Sequence, residues 1–330
     1  MLDLIIVGAG PCGLATAIEA QKNNLSYVVI DKGSVVDSIR RYPNNMTFFS
    51  TPELLELDNL PFPTAGLRSN RIEALSYYLK VVKYHGLNIQ QYAEVKEVEK
   101  TAEGFEIITQ KEEKLKATQV VLAIGYYQKP KYLNVPGENL PKVQHYYDEP
   151  YPHAFRKVAV VGAGNSGVEA ALDLFRNDAE VTFIHRGGEP AKNLKYWIKP
   201  DIENRIKKGE IKAFWHTEVL EIRPDELLLK NLKTGEIFTH ENDHIYLLTG
   251  YKPDATFLQK CGVKVNEQDL VPEYNEETLE SNVAGLYLAG TVICGIYTGK
   301  IFIENGRHHG KRIVQAILAR KAQKSHTLLA

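Results

Sequence analysis

The 330-residue sequence predicts an α/β protein made of two Rossmann-like halves, one inserted into the other. Three observations predict it. An apolar run, a G-x-G-x-x-G turn, a helical pattern and a second apolar run open the chain; the same succession returns near its middle; and two further apolar runs, VVLAIG and IYLLTG, each stop at a glycine where the chain would cross between halves. Each fingerprint is the succession that binds a dinucleotide, so the fold class already carries a ligand class.

In the first fingerprint, Leu4 to Val7 reads as a buried parallel strand, followed by Gly8, Gly10 and Gly13. Gly8 permits the tight turn, Gly10 lets backbone approach a pyrophosphate, and Gly13 lets the helix lie close to the strand. The helix N-terminus offers free N–H groups to phosphate. Asp31 ends the second strand, where a carboxylate accepts hydrogen bonds from a ribose diol. The stretch Ser34 to Pro63 is long and irregular, a length more often functional than idle. Ser50 and Thr51 in it read either as cofactor contacts or as polar turn residues beside core aromatics. Arg71 to Gly86 is an amphipathic helix, and residues 89 to 124 alternate as short strands with turns at Glu103-Gly104 and around Lys111 to Lys114.

The second fingerprint runs from Arg156: VAVVGAGNSGVEAALDLFRNDAEVTFIHR, with Gly162, Gly164, Asn165, Ser166 and Gly167 at the turn. The interval from Gly162 to His185 equals that from Gly8 to Asp31, so His185-Arg186 replaces the ribose-binding acid. A carboxylate there repels a 2′-phosphate, whereas a guanidinium pairs with it. The second dinucleotide is therefore NADPH, set against the alternative of a solvated arginine at a strand end. Gly285 to Gly290 reads as the last buried strand and Gly299 to Arg320 as a C-terminal helix whose start, at Lys300, suits the pyrimidine edge of a flavin. The expected division is an FAD-binding domain of residues 1–124 and 251–330 around an NADPH-binding domain of 125–250.

Composition narrows the partners. Forty Lys plus Arg against 41 Asp plus Glu, a net charge of −1, recruits neither nucleic acid nor an anionic membrane. Cys12, Cys261 and Cys294 lie far apart with no C-x-x-C, which excludes a local zinc knuckle and a thioredoxin-type dithiol, and no metal site is expected. Reduced thiols, an N-terminus without a basic n-region and the lack of an 18-residue apolar run predict a cytoplasmic protein without signal peptide or membrane span. A small molecule is the expected partner, and a homo-oligomer is left open.

Two nucleotide sites joined by glycine-ended strands resemble the flavoproteins of the thioredoxin-reductase type, and more closely the bacillithiol disulfide reductase family. The resemblance is carried by GAGPCGL at 8–14, NMTFFST at 45–51, AIGYYQKP at 123–130, KVQHYYDEPYPH at 142–153, YWIKP at 196–200, TGYKPD at 249–254 and KIFIENGRHHG at 300–310. It implies an FAD enzyme that uses NADPH to reduce the disulfide of a low-molecular-weight thiol. Thioredoxin reductases carry C-x-x-C in the NADPH domain and Gly-Asp after the last strand; here GNSGVEAALDLF has no cysteine and Gly290 is followed by Thr291. The bacillithiol-type family lacks both as well, and within it Tyr297 in VICGIYTG is unusual.

The candidate FAD residues are then Gly8, Gly10, Pro11, Cys12, Gly13, Asp31 and Lys32; Ser50, Thr51 and Val95; Gly125 and Gly290; and Lys300 and Ile301. The NADPH residues are Gly162, Gly164, Asn165, Ser166, Gly167, His185, Arg186 and Gly250. Cys12 is the candidate catalytic residue, forming a mixed disulfide with substrate; Cys294 comes next, and Cys261 reads as structural. A helix N-terminus lowers a thiol's pKa while a neighbouring pyrophosphate raises it, and the competing reading of Cys12 is a small packing residue. The rival functions are a ferredoxin- or flavodoxin-NADP reductase, a flavin monooxygenase, whose F-x-G-x-x-x-H stretch is not found before the second glycine turn, and a non-catalytic NADPH sensor.

Overall fold

A computed structural model describes residues 1–329, which fall into two units. The first unit takes Met1–Arg40, Ser50–Lys129 and the chain from Tyr251 onward; the second takes Arg41–Phe49 and Pro130–Gly250.

In the first unit the strand Leu2–Val7 lies within a seven-stranded sheet. It pairs in parallel with Tyr27–Ile30 on one side and with Lys114–Leu122 on the other. The latter strand is long enough to hold two partners along its far edge: Phe105–Thr109 pairs antiparallel with its first half, and Leu286–Leu288 pairs in parallel with Val120 to Leu122. Leu4, Ile5, Ile6, Val120, Val121 and Leu122 are fully buried, as continuous apolar runs in a covered parallel sheet should be. The helix Pro11–Lys22 packs on this sheet with the C-terminal helix His309–Leu329 beside it, Ile313, Val314 and Ile317 facing inward. The helix Arg71–His85 starts at a capping box in which Asn70 accepts from the Glu73 N–H and Glu73 accepts from the Asn70 N–H.

In the second unit Lys157–Val161 pairs in parallel with Glu180–His185 and His244–Leu247, within a five-stranded sheet edged by Lys212–Trp215 and Val143–Gln144. Alternation along the strands builds two cores. Val158, Val160 and Phe183 face the fingerprint helix Asn165–Arg176, while Ala159, Val161, Ile184 and Leu247 face a three-stranded meander through Val219, Ile222, Leu227 and Leu229.

Three details differ from the sequence expectation. The irregular stretch after Ser34 contains two helical turns, Asp37–Arg40 and Pro52–Leu55, and its middle belongs to the second unit rather than the first. There the Lys195 ammonium donates to the Thr47 carbonyl at 2.8 Å, Asn44 N–H donates to the Asp148 carbonyl at 2.8 Å, and Phe49 stacks on Trp197 with centroids 5.9 Å apart. The C-terminal helix does not begin at Gly299 or Lys300. Residues 299–302 are irregular, Ile303–Gly306 forms one turn, and the long helix starts at His309. Asn305 is the cause, for its side chain accepts from the Phe302 N–H at 2.7 Å and donates to the Lys300 carbonyl at 3.0 Å, taking over backbone groups a continuous helix would use.

Candidate active site

The two glycine turns have nearly the same geometry. Gly8 and Gly162 have φ of +112° and +119°, and a Cβ at either would strike the backbone of the crossing strand, at the Ala123 oxygen (2.4 Å) and the Leu248 oxygen (2.3 Å). A Cβ at Gly13 or Gly167 would stand 1.9 Å from the carbonyl oxygen of Gly8 or Gly162. Between these crowded positions lie open ones: at Gly10 and Gly164 a Cβ would meet no atom within 4 Å. Both glycines are helix N-caps without a side-chain capping bond, so the first N–H groups face a cradle that a pyrophosphate fits. Pro11 opens the first helix, where its missing N–H costs nothing.

Asp31 closes the first site. Its Oδ2 accepts from the Ala9 N–H and its Oδ1 from the Gly33 N–H, each at 2.7 Å. Burial raises its pKa and these two bonds pull it back, so the carboxylate is fixed in place with lone pairs left for a ribose diol. Val95 is held nearby, because the preceding residues Tyr92 and Ala93 donate their N–H groups to the Gly33 and Asp31 carbonyls. Lys32 instead pairs with Glu94 in an exposed ion pair at 3.7 Å.

Gly125 and Gly290 lie past the carboxyl ends of neighbouring strands, Gly290 beside Cys12. A Cβ at Gly125 would lie 3.6 Å from the Thr291 hydroxyl, and one at Gly290 would lie 2.8 Å from the Cys12 sulfur. The sulfur is equally close to the Cβ position of Gly306. Cys12 therefore keeps some solvent exposure as a residue while its thiol points into a slot between two glycines. Burial, with a smaller push from Cys294, raises that thiol to about 12. Cys294 is buried and raised by desolvation, opposed by a hydrogen bond from the Ile301 N–H and by Lys300; Cys261 is pushed up to about 12 by burial alone.

Ser50 donates to the Glu304 carboxylate at 2.7 Å, which ties the end of the NMTFFST loop to the Ile303–Gly306 turn, and Thr51 caps the turn Pro52–Leu55. Lys300 does not start a helix as expected: its ammonium sits 4.4 Å above the Tyr297 ring, and the neighbouring Ile301 packs against Gly306. Two residues here escape sequence reasoning. His309 is buried and its Nδ1 accepts from the Gly290 N–H at 3.1 Å, while burial lowers its pKa to about 4 and keeps the ring neutral. Arg307 donates to the Glu53 and Glu56 carbonyls at 2.8 and 2.6 Å, pinning the same loop. Only the RHHG run at 307–310 hinted at either residue.

At the second turn the Asn165 Oδ1 accepts from the Lys195 N–H at 2.8 Å. Lys195, a third residue missed from sequence, is buried and pairs with Glu169 at 2.5 Å, one helical turn after Asn165. Ser166 follows in the first helical turn, and Gly250 (φ +99°) lies at the carboxyl end of His244–Leu247, its carbonyl accepting from the Lys131 N–H at 2.9 Å. His185 ends its strand half-buried and Arg186 is exposed just beyond it. Burial, Arg186 and His216 together depress the His185 pKa. No helix among the described residues is long and apolar enough to cross a membrane.

Comparison with known proteins places this geometry. The family described as pyridine nucleotide-disulphide oxidoreductase matches residues 5–290. Bacilliredoxin reductase Bdr of Bacillus subtilis (strain 168) is 40% identical over 317 residues, 96% of this chain and 98% of that protein. Among solved structures, bacillithiol disulfide reductase Bdr from Bacillus cereus has a TM-score of 0.93 at 40% identity, and its counterpart from Staphylococcus aureus 0.93 at 37%. Each covers 97% of this chain and 99% of its own.

Proposed function

The chain belongs to the bacillithiol disulfide reductase family of pyridine nucleotide-disulphide oxidoreductases, and from that premise we propose that it uses NADPH to reduce the disulfide of a bacillithiol-type low-molecular-weight thiol in the cytoplasm. The observation that carries the reading is the contrast between two matched glycine turns, one closed by the carboxylate of Asp31 and the other by His185 and Arg186. An acid selects a free ribose diol and a basic pair selects a 2′-phosphate, so FAD belongs to the first unit and NADPH to the second. Bound FAD supplies the two-electron chemistry between coenzyme and disulfide.

The protein's part is to bind and orient. Gly10, Pro11 and Gly13 present the helix N-terminus to the FAD pyrophosphate, and Asp31 holds the ribose hydroxyls. Gly125, Gly290 and His309, whose ring accepts from the Gly290 N–H, would shape the surface that holds the flavin. Gly164, Asn165 and Ser166 would present the second helix N-terminus to the coenzyme's pyrophosphate. The chain has no C-x-x-C to serve as an internal dithiol. Relay through Cys12 alone would need a thiolate, which its burial between Gly290 and Gly306 opposes. The geometry therefore favours Cys12 as a packing residue, with electrons passing to the disulfide without a covalent stop on the protein.

Anaerobic NADPH oxidation tests the reading with a panel of acceptors: the disulfides of bacillithiol, coenzyme A, cysteine and glutathione, an oxidised bacilliredoxin, ferredoxin and flavodoxin. Fastest turnover is expected with the bacillithiol-type disulfide. Turnover with ferredoxin or flavodoxin alone would overturn the proposal.

A further inference from the structure

Strand register places a residue that the fingerprint does not contain beside the basic pair. Glu180–His185 pairs in parallel with Lys212–Trp215, with His185 opposite Trp215. Arg186 and His216 are therefore the first residues past the ends of two adjacent strands. His216 adopts a left-handed backbone (φ 51°), which turns the chain out of this sheet and into Thr217–Ile222. Its N–H donates to the Gly187 carbonyl at 2.9 Å, locking it to the turn that follows Arg186.

The side chains converge on that turn. A Cβ at Gly188 would lie 2.5 Å from the His216 Nε2, and one at Gly187 would lie 2.9 Å from the His185 Nε2. Both imidazoles thus rest against a glycine pair that any larger residue would force them off. Among the described residues no carboxylate forms an ion pair or hydrogen bond with His185, Arg186 or His216, although ion pairs are common elsewhere on this surface. Three groups able to carry positive charge sit together, and the depression of the His185 pKa by both Arg186 and His216 agrees with their closeness.

We propose that His216 is a specificity-determining ligand of the coenzyme's 2′-phosphate, completing with His185 and Arg186 a three-sided site for a phosphomonoester. The inference rests on the NADPH reading of the second unit and deepens it. A doubly charged phosphate offers three oxygens, and hydrogen bonds donated by two imidazole N–H groups and one guanidinium would use all of them. A lone arginine at a strand end could satisfy only one side. The site also explains why the turn reads His-Arg-Gly-Gly: the glycines make room for the two rings.

Equilibrium binding tests it without turnover. Calorimetric titrations of the FAD-loaded protein with 2′,5′-ADP and with 5′-ADP would be compared across wild type, Arg186→Ala, His216→Asn and His216→Lys. Asparagine tolerates the left-handed backbone, and lysine supplies a new N–H donor to a phosphate oxygen. His216→Asn should bind 2′,5′-ADP roughly tenfold more weakly, the loss of one charge-assisted hydrogen bond, with 5′-ADP unchanged. His216→Lys should recover most of the loss. Wild-type affinity for 2′,5′-ADP in His216→Asn, or an equal fall for both nucleotides, would overturn the assignment while Arg186→Ala still reports on the coenzyme reading. A wild type that does not prefer 2′,5′-ADP would sink both.

Discussion

Alanine at Gly10 and alanine at Gly13, three residues apart in one turn, should fail in opposite ways. Gly10 has an ordinary extended backbone (φ −74°, ψ 172°) and open space where its Cβ would go. Gly10→Ala should therefore leave the flavin-free protein within about 0.5 kcal/mol of wild type, as for a surface substitution. The methyl group would intrude on the space a bound pyrophosphate would take, and losing a charge-assisted bond there should weaken FAD about 10- to 150-fold. At Gly13 the new Cβ would lie 1.9 Å from the Gly8 carbonyl oxygen, against the roughly 3.3 Å at which carbon and oxygen ordinarily meet. That oxygen belongs to backbone and cannot swing aside. Overpacking costs about 1–3 kcal/mol and this site belongs at the upper end. At about 2–4 °C per kcal/mol, Gly13→Ala should melt about 6–12 °C lower even without flavin. Thermal melts of the flavin-free proteins and titration of each with FAD, followed by flavin fluorescence, separate the two losses. If Gly10→Ala melts far below wild type yet keeps its flavin, the division of labour within the turn is wrong.

Other substitutions test the remaining assignments. Arg186→Ala should erode the preference for NADPH by weakening that coenzyme about 10- to 150-fold and sparing NADH, as read from anaerobic flavin bleaching; equal rates with both coenzymes in the wild type would contradict the basic-pair reading. Cys12→Ser should keep both flavin reduction and disulfide turnover near wild-type rates, whereas loss of disulfide turnover alone would establish a covalent relay through Cys12. Acid should destabilise the fold through His309. Its ring titrates near 6.5 when unfolded and near 4 in the fold, so the unfolded state binds the extra proton between those values, and stability present above about pH 6.5 is lost as the pH falls towards 4. The loss approaches about 3 kcal/mol, and denaturant unfolding of His309→Gln across this range should show a shallower slope, with His244 still contributing a similar fall in the second unit.

The chain's periodic and local features were legible in its sequence. Both fingerprints and the strand-ending glycines depend on residues close in sequence whose chemistry has one geometric use. What escaped depends on partners far away. Lys195 looks like any surface lysine until Glu169 and the Thr47 carbonyl are found around it, and His309 is one of two adjacent histidines until the Gly290 N–H is found on its ring. The break before His309 was missed for a different reason. Apolar spacing favours one helix from Gly299, but a single asparagine amide outbids it for the backbone. Cys12 shows the same limit: its position identified it, and only the two facing glycines reveal where the sulfur goes.

The order in which these pieces leave the ribosome follows from the split of the first unit. Its sheet begins with Leu2–Val7 but lacks Leu286–Leu288 and the packing helix His309–Leu329 until about 280 further residues have been made. The second unit's own residues end at Gly250, and the early segment Arg41–Phe49 is already waiting when Lys195 and Trp197 emerge. The inserted unit can thus close first, while the opening fingerprint stays an unfinished half-sheet. A nascent chain stalled before Leu286 would hold a complete coenzyme turn but no finished floor for the flavin.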